Sequence, residues 1–266
     1  MSKYETEYEF DNLNFYRENH GKQLYYNWGG EVYWIESPGK PKEKLFSIIG
    51  MNATKVFIKP HPEYGEAGQR INREICLFCD PYTQEILHYW QQKEGAQKVP
   101  VVHITNRMVQ GFVSPRKNVI PRNSGYVQKV IEIPLEYPHP LAKETKYQDY
   151  CSGEMFQGVE YFTSSIARPG VTEMPPSKWA RDCPWMPWMK LGYGHPARLR
   201  FETTIFRVES FERLHPNLVK LVREKLPIYE FAPDESDESN VTSILYFKKH
   251  FDAYLNGDYF PIPETT

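Results

Sequence analysis

Residues 44–59 read KLFSIIGMNATKVFIK. The stretch is rich in β-branched and aromatic side chains, which fit a pleated surface, and it predicts one long strand. Gly50 falls inside it and predicts a bulge or bend. The same composition recurs on either side, in EVYWIES (31–37) and REICLFCD (73–80). A chain that opens this way predicts a sheet.

Working towards the C-terminus, DPYTQE (80–85) is a turn, with Pro81 presetting φ. EILHYWQ (85–91) and VPVVHIT (99–105) predict a hairpin, and RMVQGFV (107–113) a continuation of the meander. Residues 114–125 read as a loop. YVQKVIEIPLEY (126–137), EMFQGVEYFTSSIARPG (154–170) and ARLRFETTIFRVES (197–210) read as further strands. Between the last two lies a Pro- and Trp-rich segment, about 171–197, without a period.

Helical spacing is confined to three places. FDNLNFYRENHG (10–21) predicts a short helix with Gly21 past its end. HPNLVKLVREKLP (215–227) sets Pro216 near the first helical position and lets Pro227 end the helix. VTSILYFKKHFDAYLNG (241–257) predicts one helix stopped by Gly257. APDESDESN (232–240) is a solvated acidic connector. These elements predict an α+β, β-rich fold. It is a curved antiparallel sheet or barrel with a ligand-sized cavity and helices mainly at the C-terminus. We expect a single domain over 1–266, with its core sheet over about 30–207 and its C-terminal helices over about 211–256.

Composition narrows the function. A formal charge of −2 offers no basic field for nucleic acid or anionic lipid. No run reaches the ~20 apolar residues of a membrane span, and the N-terminus has no signal-peptide core, so the expectation is cytoplasmic. Cys76, Cys79, Cys151 and Cys183 should then be reduced. Cys76 and Cys79 form a CxxC, but residues three apart on a strand face opposite sides. GxGxxG, GxxxxGK[ST], GxSxG and HExxH are all absent, so no cofactor and no metal is expected.

Six ordered stretches, GGEVYW (29–34), REICLFCDPYTQEILHYW (73–90), VPVVHITN (99–106), YPHPL (137–141), SKWARDCPWMPWMKLG (177–192) and SILYFKKHFDAY (243–254), carry a resemblance. Together they resemble a family of bacterial and fungal proteins catalogued as a domain of unknown function. The resemblance covers nearly the whole chain and implies one domain and a link to small-molecule metabolism. It assigns no catalytic residue. Family members often carry an export signal, which this chain does not show. The family's Asn-Asp-Pro-Val is here Asn106-Arg107-Met108-Val109, a base in place of an acid.

Candidate site residues follow from residue type and expected face. If the hairpin register sets His88 opposite His103, their Cβ atoms lie ~5 Å apart and could shuttle a proton or hold part of a metal site. A one-residue slip separates them, and each is then a lone histidine satisfied locally. Arg73 could steady an oxyanion and Glu74 could act as a general base, or the two could form an internal ion pair. Tyr161, beside Glu160 and Arg168, could donate to an oxyanion or simply pack its ring. Trp185, Met186, Trp188 and Met189 plug the core, or line a pocket with Arg181 and His195 at its rim, with Trp90 and Asn106 as further contacts. The leading expectation is a cofactor-independent isomerase, cyclase or lyase of secondary metabolism, acting on a hydrophobic oxygenated small molecule. The alternatives are a non-catalytic binder or carrier and a protein-interaction module.

Overall fold

The computed structural model describes residues 7–37, 39–121, 125–167, 171, 175–235 and 242–264. Twelve strands occur in it: β1 (Glu7–Asp11), β2 (Gln23–Ile35), β3 (Glu43–His61), β4 (Gly65–Cys79), β5 (Tyr89–Trp90), β6 (Val99–Pro100), β7 (Ile104–Val113), β8 (Lys117–Pro121), β9 (Tyr126–Pro138), β10 (Met155–Ala167), β11 (Ser177–Pro184) and β12 (Arg198–Val208). Eight of them form one antiparallel sheet in the order β7-β4-β3-β2-β12-β11-β10-β9. The sheet is two four-stranded meanders joined where β2 pairs with β12, and it curls into a half-barrel. β1 and β8 form a separate ribbon, as do β5 and β6.

Alternation along each strand gives the sheet a concave and a convex face. The convex face of β3 and β4, with Met51, Ala53, Ile75 and Leu77, packs against α2 (Pro216–Lys225) through Leu218 and Val222. His215 caps that helix, its side chain accepting from Asn217 N–H, and Pro216 takes the first helical position as expected. The concave face holds the larger core, built on Val32, Phe46, Ile48, Cys76, Phe78, Leu199 and Phe201. It is roofed by the Pro- and Trp-rich segment and by α3 (Ser243–Lys249) and α4 (Phe251–Asn256).

Several local expectations change. Gly50 is not a bulge: β2 and β3 pair through it in register, and the irregularities lie at Val32/Tyr33 and at Asn72/Glu74. What Gly50 provides is room, because a Cβ there would overlap the Trp28 ring. The segment 171–197 is not wholly irregular, since β11 lies inside it and pairs fully with β12. The single C-terminal helix is two, broken at His250, with Gly257 at φ 81° ending the second. The expected loop 114–125 holds β8, with its residues 122–124 outside the described residues, as are Arg168 and 236–240 of the acidic connector.

Candidate functional site

One cross-strand row on the concave face is polar. It runs Arg207, Tyr26, Asn52, Glu74 and Asn106, each the register partner of the next. Three hydrogen bonds order its centre. The Trp28 indole N–H donates to Asn52 Oδ1 at 2.8 Å. Asn52 Nδ2 donates to Glu74 Oε2 at 3.0 Å, and Asn106 Nδ2 donates to Glu74 Oε1 at 2.8 Å. The indole N–H is donor only, so it fixes the Asn52 amide with its oxygen towards Trp28 and its NH2 towards Glu74.

The curl brings the second meander over this row. Arg181 on β11 meets Glu160 on β10, its register partner, at 3.6 Å, and both side chains are largely buried. The Arg181 guanidinium also lies 5.4 Å over the Phe156 ring. Trp28 and Trp179 meet edge to face at 5.9 Å and form the aromatic floor. Burial pushes the Glu74 carboxyl above the usual carboxylate range and the Glu160 charge adds to the push; the two asparagine donors and the Arg181 charge oppose it. Burial also works against the Arg181 charge, and Cys183, Glu160, Tyr137 and Glu74 more than offset it. Two buried polar atoms in this group have no hydrogen-bond partner: Asn106 Oδ1 and Arg181 Nε. Such groups are uncommon in native interiors.

Of the expected site residues, Glu74 and Asn106 are hydrogen-bonded to each other, and Arg181 is near enough for its charge to act on Glu74. The others do not join them. His88 and His103 are not opposite each other, because Tyr89 pairs with Pro100 and the His88 carbonyl accepts from Val101 N–H at 3.0 Å. His88 is exposed, with its ring against Tyr259. His103 is buried, accepts from Phe78 N–H through Nδ1 at 3.1 Å and stacks on the Phe78 ring. Burial, with the His88 charge, pulls it down to about 3, so it is a neutral core imidazole. Arg73 points to the convex face and donates to the carbonyls of Ile228 and Phe231. Tyr161 lies on the face opposite Glu160 and Arg181 and stacks under the Arg200 guanidinium.

The aromatic segment is a plug. Trp185, Met186, Trp188 and Met189 are all buried, the two tryptophans only 2% exposed. Trp188 packs on Phe46, Phe78 and Trp90, and Tyr254 OH donates to its carbonyl at 2.9 Å. All four side chains turn inward because the 3-10 turn Pro187–Met189 lets a non-repeating backbone face them the same way. Trp90 and His195 line an open cleft of about 380 Å³ with Trp34, at the far end of the concave face from Glu74. Trp28, Asn52, Glu160 and Trp179 escaped the sequence reading as site residues. The available signal was Asn52 and Thr54 at alternate positions of an otherwise apolar strand.

Residues 21–251 match the family model described as "Protein of unknown function (DUF1838)", and the chain belongs to that family. No curated protein and no solved structure matches the chain. Among the described residues, no helix is long and apolar enough to cross a membrane.

Proposed function

We propose that this family member is a cofactor-independent enzyme whose active site is the polar row of the concave face. It acts on a largely apolar, oxygenated small molecule. The observation that supports the reading is a carboxyl raised by burial, held by two amides opposite a buried arginine whose Nε has no partner. Carboxyls poised in this way serve as general acids and bases.

In this reading the substrate ring stacks on Trp28 and Trp179, and a carbonyl oxygen meets Arg181. Glu74 takes a proton from the carbon beside that carbonyl. The C–H electron pair moves towards the oxygen, where the guanidinium stabilises the developing charge. Return of the proton at another carbon gives isomerisation; attack of the enolate carbon on a second carbonyl carbon of the same molecule, with Glu74 returning its proton to the new oxyanion, gives cyclisation; and expulsion of a leaving group gives elimination. Glu160 keeps Arg181 in place. A cytoplasmic setting, in which the four free and buried thiols stay reduced, fits this reading.

The aromatic floor by itself also supports plain binding. One experiment separates the two. A small-molecule extract is incubated in D2O with the protein or with its Glu74→Gln variant and profiled by mass spectrometry. The enzyme reading expects compounds that change, or gain one deuterium, only with the unaltered protein. A compound retained by both proteins and altered by neither would leave a carrier.

A further inference from the structure

The hydrogen bonds around Glu74 favour one of its oxygens as the carrier of a proton. Trp28 N–H can only donate, so Asn52 Oδ1 faces it and Asn52 Nδ2 faces Glu74 Oε2. Oε2 is thereby held as an acceptor, the role the carbonyl oxygen of a protonated carboxyl fills best. A proton on Glu74 resides on Oε1, where Asn106 Nδ2 now donates. An O–H directed along that contact meets a donor, and the Asn106 amide satisfies it by turning over to present Oδ1.

We propose that Asn106 is a hydrogen-bond switch whose outward atom changes from acceptor to donor when Glu74 receives a proton. The inference rests on the reading of Glu74 as the base. With Glu74 ionised, the partnerless Oδ1 of Asn106 accepts from a ligand hydroxyl or N–H. When the ligand's proton passes to Oε1, the electron pair of the broken bond stays on the ligand as an oxyanion. The turned Asn106 then offers Nδ2–H to that charge beside Arg181. One side chain thus fits the ligand before and after proton transfer. The ligand class follows as a carbon acid or hydroxy compound whose conjugate base carries its charge on oxygen, such as an enol, a β-dicarbonyl or a phenol. The charged and titratable groups that act on Glu74 are Arg181, Glu160 and Cys76, and the side chain hydrogen-bonded to Oε1 is that of Asn106.

The test uses the full chain labelled with 15N-asparagine, the Asn106 side-chain signal being identified by its loss in Asn106→Asp. The expected result is one titration step in that amide, absent in Glu74→Gln. An amide that ignores pH in the unaltered protein overturns the switch. The second arm uses 4-nitrophenol, whose phenol and phenolate differ in absorbance. Glu74→Gln fixes the donor direction as protonated Glu74 would, so it should hold the probe as phenolate, with a bound pKa lower by about one unit, or tenfold. Asn106→Leu should erase that difference. Equal phenolate fractions on the unaltered protein and Glu74→Gln overturn the switch, as does a probe bound by neither. Arg181→Met tests the underlying reading: probe binding unchanged by it would place the ligand elsewhere, while the amide titration still decides the switch.

Discussion

The two ends of the concave face belong to the same strands and have opposite characters. Towards one end β3 and β4 present Phe46, Ile48, Cys76 and Phe78, and Trp188 seals them. One or two same-face positions further along, the same strands present Asn52, Thr54, Asn72 and Glu74. The boundary falls at Gly50, where the Trp28 ring lies flat on the sheet with its body in the core and its N–H in the polar row. One continuous surface is thus divided into a sealed apolar half and a half lined with hydrogen-bonded polar groups, and the division is written in alternate residues of single strands.

Five substitutions or conditions would break or sharpen that contrast. Trp188→Ala empties the sealed end and should cost about 3–5 kcal/mol in chemical denaturation. Acidification should act on the same end. His103 and His139, buried in it and held down to about 3 and about 4, stay neutral in the folded chain while the unfolded chain takes up protons. Their contribution is complete above pH ~6.5 and lost as pH falls towards 4, at about 1.4 kcal/mol per unit for each histidine. His103→Gln should flatten the denaturation profile over that window. Gly50→Ala strikes the boundary by driving the Trp28 ring off Asn52. It should cost about 1–3 kcal/mol, with a change in tryptophan emission that a distant glycine substitution lacks. The smallest effect on stability is expected at the polar end. Glu74 is raised, so its ionisation opposes folding as pH climbs past the ordinary carboxylate range. Glu74→Gln should therefore be the more stable protein at pH 8, by up to about 1 kcal/mol, with the gap closing below pH ~4.5. The same variant should lose most turnover, by about 10²–10⁴-fold.

The sheet was legible because its long strands are dense in β-branched and aromatic residues, and α2 because Pro216 and the leucine–valine stripe mark it. β11 was hidden because its residues, SKWARDCP, border the Pro- and Trp-rich run. The His88/His103 register turned on a ribbon of two residues per strand, too short to leave a pattern. In the sequence Glu74 stands out as a charge on a strand, Arg181 as a polar group at the rim of the aromatic segment, and Asn106 as a further contact of that pocket. The influence of the Arg181 charge on Glu74 depends on the curl of an eight-stranded sheet, and no local spacing encodes which charges of β11 act on β4. The plug was half-legible: the residues named themselves as core or wall, and only the turn at Pro187 decides that all four face inward.

The join between β2 and β12 has a consequence for how the concave face is assembled. Every other pairing in the main sheet links strands that are neighbours in their own meander, whereas this one ties Val32 to Phe201 across most of the chain. Closing so long a loop is the entropically expensive step, and local hairpins form ahead of such pairings. Trp28, Asn52, Glu74 and Asn106 lie on the first meander, and Glu160, Trp179 and Arg181 on the second. Each half is expected to gain its strands early with an incomplete set of groups. The two sets of groups then come together with the final docking, and a refolding time course should show sheet signal before the tryptophan emission of the Trp28–Trp179 pair reaches its native value.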